Sequence, residues 1–477
     1  MEILSGLGKK EVIFTFGRYV TYFFQILKGF LLAKVLGPEL FGIFGIFILI
    51  QQYLVYSNFG IQYALNIKLS VDHVKHSILS NNLRAIIDSA FTLTTVSSII
   101  LIVTSLLLIY MNVDVNIVVP KSHFIIGLLL VTILFHIQEV FLNIFRIQKK
   151  FYVILTTEIL IAFSAIIVIP FFSGIELLYA VVISWILSLF VSLSIFRVNY
   201  GNKLSWNTNM IKPLLSIGIP FLLYNFSFNL ISMTSRSFVA YFFSISEMGL
   251  FAFSVSLSTA VMLVFNSISW IIYPRLISRL SDVKLGKIEQ EKLLIDLTKK
   301  TISFLLIVTL LAILFLPLIF FILPEYYDSI DTILVLLINY IVINSSFALT
   351  SYLVGRNLYK VLIRCSLYSL LVSCLLMLLF AYYNLSIVWI AFANLIGSLT
   401  FVNYLTFITC KRQGFIYTNL ANSFTYLTQG IFIVTALVIL YNFRVIGFIF
   451  FAITMVSIYW REMRDNFKLV RFSMNKR

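Results

Sequence analysis

The sequence predicts an all-α, polytopic membrane protein with about fourteen transmembrane helices. Three observations lead there. Hydrophobic residues make up 61% of the 477 and charged residues 11%, where a soluble chain carries about 25% charged residues. Apolar runs of about 18 or more residues recur along the whole length, each able to cross a hydrocarbon core of about 30 Å. The basic residues fall in alternate loops, as membrane insertion requires.

Taken in order, the spans are predicted near 13–35, 41–65, 85–110, 123–145, 151–172, 175–196, 213–243, 247–273, 301–322, 332–354, 361–383, 386–409, 417–441 and 444–460. Lys9 and Lys10 precede a run too long for a signal peptide, so it reads as the first span. Pro38 with Gly37 and Gly42 breaks that helix in the segment Leu36–Gly42, and a second apolar run starts at once. With both termini in the cytoplasm, 29 of the 35 Lys and Arg residues lie inside. Lys34, Lys121 and Arg444 lie outside, and Arg18, Lys28 and Arg236 remain within spans. A single missed span would invert every later loop and destroy this segregation.

The net charge of +16 follows from that topology and gives no reason to expect nucleic acid. Cys365, Cys374 and Cys410 lie in or at the ends of apolar segments, without metal-ligand spacing and with no disulfide expected. His73 and His76 are expected in a solvated loop. No cofactor, metal or catalytic group is indicated. Outer loops are short, the longest around Asn112–Ser122, so a membrane polymerase or ligase with catalytic groups in an outer domain is disfavoured. The longest inner loop, Arg279–Lys300, is expected as a solvated connector or a short surface helix.

Two halves resemble one another. A shift of 207 residues lays Gly42-Ile43-Phe44 on Gly249-Leu250-Phe251, and Lys28 on Ser235 beside Arg236. The predicted architecture is a six-helix N-terminal lobe (1–200), a six-helix C-terminal lobe (201–412), and two extra helices with a basic tail (413–477).

Polar side chains recur at helical spacing within spans. Span 1 carries Arg18, Thr21, Gln25 and Lys28 on one face; span 2 carries Asn58, Gln62 and Asn66; span 4 carries His136, Glu139 and Asn143; span 5 carries Glu158; span 7 carries Asn225, Asn229, Ser232 and Arg236. Isolated hydroxyls and amides in membrane helices usually join neighbouring helices. Stripes that include a charge point instead to a hydrated cavity. Arg18 and Glu139 lie near the inner ends of their spans, where snorkelling or mutual pairing competes with that reading. Lys28 and Arg236 lie in the outer halves, and their donors suit phosphate oxygens.

Several segments are similar to those of the polysaccharide transporter family, which includes O-antigen and other lipid-linked oligosaccharide flippases. They are Ala33-Lys34-Val35-Leu36-Gly37-Pro38-Glu39-Leu40-Phe41-Gly42, Asn58-Phe59-Gly60-Ile61-Gln62-Tyr63-Ala64, Gly218-Ile219-Pro220, Ser235-Arg236 with Glu247-Met248-Gly249-Leu250-Phe251, and Tyr273-Pro274-Arg275-Leu276. That family belongs to the multidrug/oligosaccharidyl-lipid/polysaccharide exporter superfamily. Many relatives have an Asp-Arg pair in span 7, where this chain has Ser235 and Arg236.

The resemblance implies a transporter in the bacterial cytoplasmic membrane. It would move undecaprenyl-pyrophosphate-linked oligosaccharides to the outer leaflet by alternating access between two lobes. Lys28, Arg236 and Arg18 would hold the pyrophosphate. Gln25, Asn58, Gln62, Asn225 and Asn229, with Tyr22, Tyr53 and Trp270, would line the cavity. Glu139 and Glu158 are candidates for a coupling H+ or Na+, or for counter-ions to Arg18. Membrane lipids and a polysaccharide polymerase are the expected partners, and a cation-coupled drug exporter of the same superfamily is the alternative.

Overall fold

The computed structural model describes residues 9–75, 81–110, 121–199, 204–280, 286–417, 420, 426–440 and 444–474. Among them every regular element is helical. In chain order these are α1 (Lys9–Val55), α2 (Ile61–Lys75), α3 (Asn81–Tyr110), α4 (Lys121–Ile147), α5 (Phe151–Val168), α6 (Gly174–Asn199), α7 (Thr208–Phe242), α8 (Ile245–Leu280), α9 (Lys287–Ile322), α10 (Ile330–Ser345), α11 (Phe347–Gly355), α12 (Tyr359–Tyr382), α13 (Ile387–Gln413), α14 (Tyr426–Leu440) and α15 (Arg444–Met474). Among the described residues eleven helical stretches are long and apolar enough to cross a membrane. The stretch Phe16–Asn58 covers most of the first two predicted spans, and the fold is the all-α polytopic one the sequence predicts.

Those two spans are arms of α1, separated at Gly37, whose φ of 66° and ψ of 173° lie outside any helix. Only glycine takes such a conformation without steric cost. Pro38 then restarts the helix from a first-turn position, where its missing N–H is no loss. The break therefore takes one residue, tighter than the turn predicted over 36–42.

A second break was not predicted. The chain forms a 3₁₀ turn at Tyr56–Asn58, then Phe59 (φ 55°) and Gly60 (φ 73°) adopt the left-handed region before α2 begins. The Asn58 side chain accepts the Gly60 N–H at 3.0 Å and fixes this turn. A side chain at Gly60 would run into the Gly218 carbonyl of α7, so the two backbones meet directly. Asn58, Gln62 and Asn66 consequently do not share one continuous helix.

The inner segment around Lys287–Lys300 also differs from expectation. It is neither a connector nor a separate surface helix but the start of α9, which runs unbroken for 36 residues to Ile322. Its apolar positions Leu294 and Ile302 are fully buried, which gives the continuous helix a packed face. His73 falls within α2, while His76, residues 111–120 of the long outer loop and the side chains of Trp270 and Arg275 lie outside the described residues.

The chain divides into two compact units, residues 8–226 and 227–477, with the boundary inside α7. In the first, α1 packs mainly on α5, α5 on α6, and α4 on α6 and α3. Small side chains allow this approach: Ala162 and Ala165 of α5 are buried, and Ser188 of α6 donates to Ser164 of α5 at 2.8 Å. Small residues and hydroxyls are the usual joints between helices in lipid. In the second unit, α12 packs on α13, and α10 on α13 and α8. Ser369 of α12 donates to the Gly397 carbonyl of α13 at 2.5 Å. The last two helices, α14 and α15, pack on one another and on α10 and α9 respectively. A reciprocal amide pair, Asn403 with Gln429 at 2.8 and 2.9 Å, ties α14 to α13.

Candidate functional site: charged side chains within the membrane helices

In the first unit the charges sort into two places on α1. Near its start, Gly17 abuts the Leu155 side chain of α5, which would have to shift to admit a Cβ at that position. That contact brings the Arg18 guanidinium to Glu158 of α5 at 3.5 Å, with 19% and 22% of the two side chains exposed. Arg18 also lies over the rings of Phe14 and Tyr22, at 5.7 and 5.4 Å, and Phe14 in turn stacks on Phe151 at 4.6 Å. Glu139 of α4 lies within electrostatic range of Glu158 and of Arg146. Arg146 lies within range of Arg18. Two cations and two carboxylates from α1, α4 and α5 thus form one cluster. Arg18 takes Glu158 as its direct partner, a choice the spacing of the sequence left open between Glu158 and Glu139. Glu158 Oε2 is buried and accepts no hydrogen bond among the described residues.

Ten residues further along α1, Lys28 is half-buried. Among the described residues no carboxylate pairs with it. Its ammonium lies 4.9 Å from the ring centroid of Trp185 on α6. Trp185 is 7% exposed and rests against Phe44, at 5.8 Å between ring centroids. Phe44 belongs to the arm of α1 beyond Gly37, so one indole touches both arms. Sequence reasoning passed over Trp185, since a lone Trp in an apolar run carries no mark of which helix it will face.

The amides vary in what they do. Gln25 and Gln62 are half-buried. Asn58 is occupied by the turn described above. Asn225 donates to the Phe221 carbonyl one turn back at 2.9 Å, and Asn229 is exposed. Tyr22 is buried beneath Arg18, and Tyr53 meets Phe226 edge-on at 6.5 Å.

In the second unit, Arg236 is 9% exposed. Its neighbour Ser235 donates to the Ser232 carbonyl at 2.9 Å and accepts from Asn394 of α13 at 3.5 Å. The position where many relatives place an acidic residue here holds a neutral hydroxyl in a buried hydrogen-bonded contact.

Compared by sequence with curated proteins, the chain matches none. Its fold is similar to that of the lipid II flippase MurJ in an inward closed conformation, at 13% identity and a TM-score of 0.65, covering 94% of this chain and 99% of that one. It is also similar to a multidrug resistance MATE family transporter of the MOP superfamily in an inward-facing conformation, at 11% identity and a TM-score of 0.62, covering 86% and 99%. The outward-facing conformation of such a transporter matches less well, with a TM-score of 0.53 over 86% of this chain. These likenesses establish a shared fold. Residues 31–330 match the family model described as polysaccharide biosynthesis protein, which spans most of the chain. Multi-pass and all-helical, with the fold of superfamily transporters, this chain belongs to the polysaccharide biosynthesis protein family.

Proposed function

We propose that this protein is a flippase for undecaprenyl-pyrophosphate-linked oligosaccharide repeat units, such as those of an O-antigen. It carries them from the cytoplasmic to the outer leaflet of a bacterial cytoplasmic membrane by alternating access, with both of its own termini in the cytoplasm. Residues 1–200 and 201–412 act as the repeated lobes, with 413–477 appended. The observation that carries this reading is Lys28, a half-buried ammonium within a membrane helix and without a carboxylate partner among the described residues. A cation in that position has a functional reason by default, and phosphate oxygens suit it. The family description, polysaccharide biosynthesis, narrows the phosphate to one that carries sugar.

In this reading Lys28 and Arg236 both serve the pyrophosphate. Arg18, already engaged with Glu158, has the smaller part. Gln25, Gln62, Asn225 and Asn229 meet sugar hydroxyls, and Asn58 keeps mainly its turn. Glu139 is the residue for a coupling H+ or Na+, while Glu158 is first the counter-ion of Arg18. A polysaccharide polymerase receives the exported unit.

The test is surface polysaccharide in cells carrying Lys28→Ala or Arg236→Ala, with protein in the membrane measured alongside. Each is expected to lower export at unchanged protein level. Normal export by both variants would remove the pyrophosphate assignment. One observation favours a second reading, a cation-coupled drug exporter: Glu139 makes no ion pair among the described residues, and such a carboxylate suits a cationic substrate. Efflux of a cationic dye, lost in Glu139→Gln while surface polysaccharide persists, is the result that would prefer it.

A further inference from the structure

Lys28 has an unusual compensation. A membrane-embedded cation is normally neutralised by a carboxylate or led to water, and Arg18 on the same helix follows that rule. Lys28 has an aromatic face instead, at 4.9 Å. The ring quadrupole attracts the ammonium without cancelling its charge. An incoming anion therefore meets a full positive charge and has no resident carboxylate to displace. Trp185 has no orienting hydrogen bond: its Nε1–H is buried and finds no acceptor among the described residues. Packing sets its position, with Phe44 on the far arm of α1 pressed against it. The same indole thus fixes where Lys28 stands and bridges the break at Gly37.

Resting on the pyrophosphate reading above, we infer that Trp185 is the positioning residue for Lys28, its ring holding the ammonium ready for the diphosphate of the lipid-linked substrate. It does not itself contact the substrate, and its effect passes through Lys28.

The test uses the full chain, purified and placed in nanodiscs of zwitterionic phosphatidylcholine so that anionic headgroups do not compete. The probe is inorganic pyrophosphate, with sulfate at matched ionic strength as the control. Pyrophosphate bound by the ring-held ammonium is expected to change indole emission. The change is expected to vanish in both Trp185→Phe and Lys28→Met. Affinity measured by a separate binding assay should follow the strength of the ring: Trp185→Tyr and Trp185→Phe near the parent, and Trp185→Leu about 3- to 30-fold weaker. A purely structural Trp185 would rank the variants by packing volume, with affinity and unfolding midpoint falling together, whereas the positioning role weakens binding in Leu without a matching fall in the midpoint. Equal affinity for Leu and Phe overturns the inference, as does an emission change that survives in Lys28→Met. If Trp185→Leu fails to reach the membrane, the emission change in the parent and its loss in Lys28→Met still decide the matter. Undiminished pyrophosphate binding by Lys28→Met would instead strike the pyrophosphate assignment itself. Lost binding there with normal binding in Trp185→Leu would strike only the role given to Trp185.

Discussion

Arg18 and Lys28 stand ten residues apart on one helix and are compensated in opposite ways. Arg18 has a carboxylate at 3.5 Å, a second carboxylate within its cluster and aromatic rings one turn to either side. Lys28 has an indole and, among the described residues, no carboxylate. A cation that already has its counter-ion contributes to holding helices together. One held only by a ring keeps most of its charge for something that arrives later. Two cations in one membrane helix therefore need not share one role, and the identity of the compensating group separates them.

The largest effect expected is on the structural side. Arg18→Leu leaves Glu158 without its cation, with one carboxylate oxygen buried and unpartnered among the described residues. Breaking a buried pair by removing one member costs about 3–5 kcal/mol, and partial exposure of this pair places the cost near the lower end. The expected outcome is a lower unfolding midpoint in detergent and less protein in the membrane. Adding Glu158→Leu should recover most of the loss, because removing both charges avoids the orphaned carboxylate. An Arg18→Leu protein as stable as the parent would mean the pair does not hold α1 to α5, and the contrast with Lys28 would collapse.

The next prediction gives Lys28 the compensation that Arg18 has. Trp185→Glu places a carboxylate where the ring now lies. At about 4 Å and an effective dielectric near 20 such a pair gains about 4 kcal/mol. A third of that surviving desolvation is enough for a tenfold change in affinity. Pyrophosphate binding should fall at least about tenfold, below that of the neutral control Trp185→Gln, which loses the ring but adds no charge. If the two variants bind alike, a resident carboxylate does not compete with the anion, and the absence of one beside Lys28 has no bearing on function.

Much of this was legible in the sequence, and the rest was hidden for identifiable reasons. Apolar runs and the segregation of Lys and Arg give the spans, because lipid imposes length and sidedness on any helix that crosses it. Gly37-Pro38 announces the break in α1, since glycine supplies the positive φ and proline restarts the helix. The break at Phe59-Gly60 is less visible: it depends on Gly218, 158 residues away, whose backbone needs the space. Periodicity places Arg18, Gln25 and Lys28 on one face but cannot say which helix that face meets. It therefore left Arg18 undecided between Glu139 and Glu158, and it gave no reason to single out Trp185.

The smallest effect is expected from Lys28→Arg, and it tests the contrast most finely. Arginine keeps the charge, and its planar guanidinium stacks on an aromatic ring at least as well as an ammonium does. Its fork of five donors also suits phosphate oxygens. What changes is reach and shape: the guanidinium is larger than the ammonium and must fit the same space beside Trp185 and Phe44. Pyrophosphate affinity and surface polysaccharide should therefore stay within about threefold of the parent, a difference worth under 1 kcal/mol, while Lys28→Met loses both. A Lys28→Arg protein that binds pyrophosphate normally but fails to export would show that a ring-held charge suffices for capture and that release needs the compact ammonium. A protein that binds no better than Lys28→Met would mean that the ring does not simply hold a cation, and that the fit of lysine itself against Trp185 is what the site requires.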